Sequence, residues 1–292
     1  MTNKSALVIG SRGMVGTALM KVLGRSKTYF EIKGVDIETD MTIKSNTEII
    51  KDYDHIYHLA GIKGSPLRVR ERPADYLPML QFDTNVIEAV GKYKPEWFLY
   101  TSSVGVYPPS ELFKENEVWN KVPSENDMIP AYIKRMGELS CSAISRSYNY
   151  KNISVVRPAN IYGAYDNFGD ESTVIASLIK KGCSDDVINV WGDGTPIRDF
   201  IYSKDVARGM LHMVENKIND TVNLGSGKEV TISDIANTIG KYFDKEVKYD
   251  KSKPNGDMRR QMDTRRAESI GFKPEYTLED GIKETIEWYL NE

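Results

Sequence analysis

Apolar and polar positions along this chain alternate between two rhythms. Ala6 to Ile9 form a compact apolar run that stops at Gly10, and from Met14 to Leu23 the apolar positions recur at helical spacing. The chain therefore opens as strand, glycine turn and helix. A second strand is predicted to end at Val35-Asp36, a third to cover His55 to Ala60 and a fourth Trp97 to Tyr100. Between the third and fourth, Pro73 opens a helical pattern reaching Tyr93, with proline at a first turn where its missing N–H costs nothing. A further helix over roughly Ala131 to Tyr148 feeds a fifth strand, Ile153 to Arg157, which meets Pro158. Strands alternating with helices predict an α/β fold, a Rossmann-type doubly wound parallel sheet.

Beyond Pro158 the rhythm shortens. A loop rich in Gly, Asp and Asn runs from Tyr162 to Glu171, a helix covers Val174 to Lys180, and a turn spans Trp191 to Pro196. The strand Phe200 to Tyr202, followed by a helix with Ser203 as N-cap, reads as a return to the sheet. From Val230 come helix, strand, the polar loop Lys251 to Arg260 and a last amphipathic helix ending at Leu290. The expected organisation is a dinucleotide-binding domain over 1–160 with a returning segment near 198–228. Residues 161–197 and 229–292 then form a smaller C-terminal substrate-binding lobe.

Composition narrows the function classes. Thirty-nine Lys and Arg against 42 Asp and Glu leave a formal charge of -3, so no overall field favours nucleic acid or an anionic membrane. No apolar run approaches the 18 or so residues of a membrane span, and Met1 to Lys4 lead straight into a strand rather than a signal segment. The two cysteines, Cys141 and Cys183, make no metal-spaced pair and suit a reducing compartment, so a cytoplasmic location is expected.

The chemistry begins at Gly10-Ser11-Arg12-Gly13-Met14-Val15-Gly16, a G-x-x-G-x-x-G turn between strand and helix. Glycine is needed there because the backbone must turn tightly and approach a pyrophosphate resting on the helix N-terminus. Asp36 ends the second strand, where a carboxylate accepts hydrogen bonds from ribose hydroxyls and repels the 2′-phosphate of NADP; Arg12 argues the other way. NAD is the expected cofactor, with NADP the alternative.

These motifs, with His58-Leu59-Ala60-Gly61, Thr101-Ser102-Ser103-Val104-Gly105-Val106-Tyr107, Lys134-Arg135-Met136-Gly137-Glu138 and Arg157-Pro158-Ala159-Asn160-Ile161-Tyr162-Gly163, resemble the extended short-chain dehydrogenase/reductases, the epimerases and dehydratases that modify nucleotide sugars. Within that superfamily, Trp191 to Phe200 and Lys253 to Arg260 are most similar to the GDP-L-fucose synthase type. The resemblance covers nearly the whole chain, in order. It implies hydride transfer at sugar C4, as ketone reduction or as 4-epimerisation, on a nucleoside diphosphate sugar, in a homodimer. Implied cofactor contacts, besides the glycine turn and Asp36, are Asp40, Met41, Leu59, Ala60, Gly61, Thr101, Lys134, Pro158 and Ile161. Implied substrate contacts are Ser103, Asn160, Trp191, Arg198, Lys253 and Arg259; solvated surface charge is the alternative for Arg198 and Lys253.

In that superfamily a serine or threonine hydrogen-bonds the reacting sugar oxygen, and a Tyr four residues before a Lys exchanges the proton. Here the serine is Ser103 and the lysine Lys134, but the tyrosine position holds Pro130. Tyr132 is the nearby phenol, yet two helical residues amount to about 200° of rotation, so it serves only if the helix starts late and Tyr132 lies in an irregular first turn. A packing tyrosine is the alternative reading. The Cys and His that epimerise carbons flanking a ketone in fucose synthases correspond to Gly105 and Thr173, so that half of the chemistry should be missing, and Val104-Gly105 replace the Asp-Glu of sugar 4,6-dehydratases. His55, His58 and His212 read as structural. A protein that binds NAD and a sugar nucleotide with little or no turnover is the second functional reading; a structural α/β protein with an empty site is a third, against which the intact glycine turn argues.

Overall fold

The computed structural model describes residues 3–169 and 171–292. Asp170, in the loop expected from Tyr162 to Glu171, lies outside the described residues, as do Met1 and Thr2. The first half consists of β1 (Lys4–Ile9), α1 (Met14–Leu23), β2 (Tyr29–Val35), β3 (His55–His58), α2 (Pro66–Glu71), α3 (Leu77–Tyr93), β4 (Trp97–Thr101), α4 (Met128–Tyr148) and β5 (Ile153–Pro158). The second half adds β6 (Asn160–Tyr162), α5 (Val174–Ser184), β7 (Val187–Trp191), β8 (Ile197–Arg198), β9 (Phe200–Tyr202), α6 (Ser203–Glu215) and β10 (Thr221–Leu224). It ends with β11 (Val230–Thr231), α7 (Ile232–Phe243), β12 (Glu246–Asp250), β13 (Arg259–Arg260), α8 (Arg265–Ser269) and α9 (Leu278–Leu290).

Six strands form one sheet in the order β10-β5-β4-β3-β1-β2, every pair parallel. Successive side chains on a strand point to opposite faces, and the apolar runs use both. Ala6 and Val8 join Trp97 and Leu99 in one layer with Ala18, Leu19 and Leu23 of α1 and Val206, Met210 and Met213 of α6. Leu7 and Ile9 join Phe98 and Tyr100 in the other with Val86, Ile87 and Val90 of α3 and Cys141 and Ile144 of α4. Helices on both faces of a parallel sheet make this a Rossmann-type doubly wound fold.

Three expectations are corrected. The strand that rejoins the main sheet is β10, whereas β9 pairs in parallel with β6, which follows β5 after the single residue Ala159, in a separate two-stranded ribbon. Ser203 is the first residue of α6 and not its cap; Tyr202 holds that position, with no side-chain cap. Finally, α4 begins at Met128, not Ala131, since a proline in the first helical turn has no N–H to forfeit.

A third apolar cluster builds the second half: Ile175, Leu178 and Ile179 of α5, Ile188 and Val190 of β7, Ile235, Ala236 and Ile239 of α7, and Ile282 and Ile286 of α9. Against it stand the short sheets β12-β7 and β11-β8-β13.

Candidate active site

The parallel strands end at one edge of the main sheet, and that edge collects the chemistry. Gly10, at φ +88°, turns the chain out of β1; a Cβ there would lie 2.7 Å from the Ala60 nitrogen. A Cβ at Gly16 would lie 2.1 Å from the Gly10 carbonyl oxygen, so only glycine lets α1 begin this close to the strand. The N-cap, Gly13, offers no side-chain acceptor and no acid lies in the first turn of α1. The amides around Met14 and Val15 thus remain available to an outside anion, which suits a dinucleotide pyrophosphate.

Asp36 follows β2. Its Oδ2 accepts from the Arg12 backbone N–H at 2.8 Å and its Oδ1 from that of Ile37 at 3.0 Å, which fixes the carboxylate beside the glycine turn. The Arg12 side chain is held by Glu38 at 2.5 Å and stands 3.9 Å from Asp36. Two carboxylates therefore face the arginine that was expected to draw a 2′-phosphate. Asp40 is exposed and accepts from the Thr42 N–H at 2.9 Å. Met41 is a core residue, packed in the layer with Val35 and Ile50, while its carbonyl oxygen accepts from Asn85 Nδ2. Leu59 continues β3, donating to the Ile9 carbonyl, and Gly61 beyond it is exposed. Thr101 Oγ1 is buried with no hydrogen-bond partner among the described residues. Pro158 is buried and Ile161 packs on the first apolar layer.

Ser103 caps the short turn after β4, its Oγ accepting from the Gly105 N–H at 3.0 Å. Lys134 reaches the same edge from the N-terminal part of α4. It is only 6% exposed, and its Nζ donates to the Ala60 carbonyl at 3.5 Å and to Asp83 Oδ2 at 3.3 Å. Asp83 also accepts from the Tyr100 hydroxyl at 2.5 Å and lies 2.7 Å from His58 Nε2. Burial alone would raise its pKa, but the Lys134 charge and the bonds from His58 and Tyr100 hold it below the usual carboxylate range. Burial pushes His58 down, so it is a neutral member of this network, consistent with a structural histidine.

Tyr132 is placed elsewhere. Because α4 is regular from Met128 onward, the condition under which Tyr132 would share a face with Lys134 is not met. Its ring is 40% exposed and packs beneath the Arg135 guanidinium at 5.5 Å. Pro130, one turn before Lys134, occupies the face that points to the site. Thr173 is the N-cap residue of α5, its hydroxyl donating to Asp166 at 3.2 Å. Glu138, expected with the lysine motif, forms a buried ion pair with Arg157 at 2.6 Å and accepts from Ser102, tying α4 to β4 and β5.

The second half presents an arginine pair. β8 and β13 run parallel with Arg198 and Arg260 in register, so two guanidiniums lie side by side. Burial, and then the neighbouring Arg260 charge, lower Arg198 to about 10. Such a pair attracts a polyanion. Arg260 lies 2.6 Å from Asp127. Adjacent strand residues face opposite ways: Arg259 donates to the Glu111 carbonyl and pairs with Glu229, whereas Arg260 pairs with Asp127, and both line the cavity that Ser124 and Asp257 also border. Asn160 sits at the edge with its amide nitrogen donating to the Asp199 carbonyl. Trp191 is 61% exposed, with Lys253 Nζ 5.6 Å above its ring, so these two remain open to solvent. Asp257 and Arg260 belong to the Lys253 to Arg260 loop singled out in the sequence, whereas nothing in the sequence pointed to Asp127.

Residues 6–225 match the model of the NAD dependent epimerase/dehydratase family. The chain belongs to that family. It is 30% identical to putative GDP-L-fucose synthase 2 of Arabidopsis thaliana, over 99% of this chain and 93% of that one. In fold it resembles a GDP-6-OMe-4-keto-L-xylo-heptose reductase from C. jejuni, with a TM-score of 0.90 at 21% identity, covering 100% and 99% of the two chains. A GDP-L-fucose synthetase from Naegleria fowleri bound to NADP gives a TM-score of 0.86 at 22% identity, covering 100% and 95%. The family resemblance carried by the motifs is thus borne out along the whole chain. Among the described residues no helix is long and apolar enough to cross a membrane.

Proposed function

We propose that this protein is an NAD(P)-dependent enzyme that modifies a nucleoside diphosphate sugar, GDP-linked, by hydride transfer at sugar C4, either reducing a 4-ketone or epimerising through one. The observation that carries the reading is the convergence of an uncapped dinucleotide turn, Ser103 and Lys134 at one edge of the main sheet, with the Arg198–Arg260 pair of the β11-β8-β13 sheet tied to it through Asp127 beside Gly105. The three relatives named above carry GDP-sugars in their names, which supports the choice of base.

Bound along the glycine turn, the nicotinamide cofactor supplies or accepts the hydride. The protein does the rest. Ser103 hydrogen-bonds the C4 oxygen, Lys134 anchors the ribose, and Arg198 with Arg260 holds the diphosphate while Asn160, Trp191 and Lys253 line the sugar nucleotide's path. With Pro130 where a phenol is expected, a water at Ser103 exchanges the proton. Incubation with NADH and a panel of GDP- and UDP-linked 4-keto sugars and hexoses tests this. Consumption of NADH or conversion at C4 on a GDP-sugar is expected, and neither with any member overturns it.

Pro130 also supports the second reading, a protein that binds NAD and sugar nucleotide with little turnover; the same panel separates the two by binding without conversion. A homodimer in the cytoplasm completes the proposal. Tyr132, Met136 and Leu139 form an exposed apolar stripe on α4 at helical spacing, beside exposed Leu77 and Leu80 of α3. Sedimentation of Met136→Glu as a monomer and of the unmutated chain as a dimer is the expected result.

A further inference from the structure

The carboxylate of Asp127 stands in a place made for it by a missing side chain. Asp127 precedes α4, and its Cγ lies where a Cβ at Gly105 would come within 3.2 Å, its Oδ1 within 3.4 Å. Gly105 has no unusual backbone requirement, since its φ is not in the left-handed region, so the space rather than the turn calls for glycine. Through Gly105 the carboxylate is one residue from the Ser103 hydroxyl, which accepts the Gly105 N–H.

Its other oxygen, Oδ2, has a lone pair to spare. Asp127 Oδ2 is buried and makes no hydrogen bond among the described residues, although Arg260 Nη2 stands 2.6 Å away at an angle that forms an ion pair and no hydrogen bond. Charge is balanced while a lone pair stays free. A carboxylate oxygen ion-paired to one guanidinium keeps a lone pair that a ligand hydroxyl can use. The neighbouring groups do not compete: Asp257 is engaged by Ser124 and Asn126, and Asp127's own N–H by the Ser124 carbonyl.

We propose that Asp127 Oδ2 accepts a hydrogen bond from a hydroxyl of the substrate's sugar ring next to the carbon whose oxygen Ser103 holds, and that Gly105 keeps its place open. Asp127 is then a specificity residue that reads the sugar and not the nucleotide. The inference rests on the proposed nucleotide-sugar function. A site built to hydrogen-bond a substrate hydroxyl discriminates strongly against ligands lacking it, because its own polar group is left unpaired.

Calorimetry with GDP, UDP, GDP-mannose, GDP-L-fucose and UDP-glucose, on the full chain with NAD present, tests it. A hydrogen bond to a charged acceptor corresponds to roughly ten- to hundredfold in affinity. In the unmutated protein a sugar nucleotide should bind more tightly than its nucleoside diphosphate, and Asp127→Ala should reduce that gap tenfold or more, while affinity for the diphosphate alone should not fall, since the substitution removes only the carboxylate that competes for Arg260. Gly105→Val, which fills the carboxylate's place, should do the same, and Asp127→Asn, which keeps an acceptor and the packing, should retain most of the gap. Equal weakening of diphosphate and sugar nucleotide in Asp127→Ala would make Asp127 only a support for Arg260 and overturn the proposal. So would a gap preserved in both Asp127→Ala and Asp127→Asn. If no sugar nucleotide outbinds its diphosphate in the unmutated protein, the nucleotide-sugar reading itself fails and this inference with it.

Discussion

Lys134 Nζ lies 3.3 Å from Asp83 Oδ2 in a part of the protein where neither side chain meets water. The pair links α4 to α3 and sets the lysine's position before any ligand arrives. Breaking one partner of a buried pair leaves the other charge unpaired, so Asp83→Asn should lower stability by about 3–5 kcal/mol. The pH dependence has a definite sign. Asp83's folded pKa is below its ordinary value, so its contribution is present above that ordinary value and is lost as pH falls through the folded one. Urea unfolding of both proteins from neutral pH down should show the difference shrinking below about pH 4; a variant within 1 kcal/mol of the unmutated protein at neutral pH would remove the pair from the account.

The end of β2 is where the choice between NAD and NADP is expected to be made. Glu38 and Asp36 together occupy the Arg12 side chain, and Asp36 also binds the Arg12 N–H. NAD(H) should therefore bind more tightly than NADP(H). Asp36→Ala removes the repulsion of a 2′-phosphate, and Glu38→Ala frees the guanidinium to meet one, so each should narrow the gap by about fivefold, the ~1 kcal/mol of a water-screened charge pair at 4 Å. Titration with each dinucleotide checks this, and tighter NADP binding by the unmutated protein would refute it.

The dinucleotide half was legible because its chemistry is local. Gly10, Gly16 and Asp36 sit within one strand-turn-helix-strand unit, where spacing alone sets geometry. The substrate side depends on register between distant segments. Arg260 stands beside Arg198 only because β13 pairs with β8, and Asp127 matters only because the end of one loop meets the Gly105 turn. Alternation along a strand could have separated Arg259 from Arg260 had the Lys251 to Arg260 segment been read as ending in a strand. α4 starts at Met128 rather than near Ala131 because Pro130 fits the first helical turn, and that regular start removes the irregular turn that Tyr132 needed.

Carbon epimerisation should be absent. Gly105 has no side chain, and the Thr173 hydroxyl is bound to Asp166. With a GDP-4-keto-6-deoxyhexose in heavy water and no reductant, proton NMR should show no exchange at C3 or C5. The carboxylate in contact with Gly105's position is that of Asp127, ion-paired to Arg260 and so a weak base toward carbon. Exchange that disappears in Asp127→Asn would assign it that role and refute this prediction.

The same helix start orders the variants around the missing phenol. Loss of a positioned general acid typically costs a factor of about 10² to 10⁴, so turnover of the unmutated protein should be slow on its best substrate. Because α4 is already helical at Met128, a tyrosine at position 130 would stand one turn before Lys134 on the same face. Pro130→Tyr should therefore raise kcat with little change in KM, the mark of an interaction made in the transition state. Tyr132→Phe should leave the rate unchanged, since the Tyr132 ring packs against Arg135 on another face. Ser103→Ala should lower kcat well below the unmutated value if Ser103 is, as proposed, the donor at the reacting oxygen. The three rates are read against one substrate and one cofactor. A collapse in Tyr132→Phe with no gain in Pro130→Tyr would mean that the proton travels through Tyr132 after all, in a conformation of α4's first turns different from the one described.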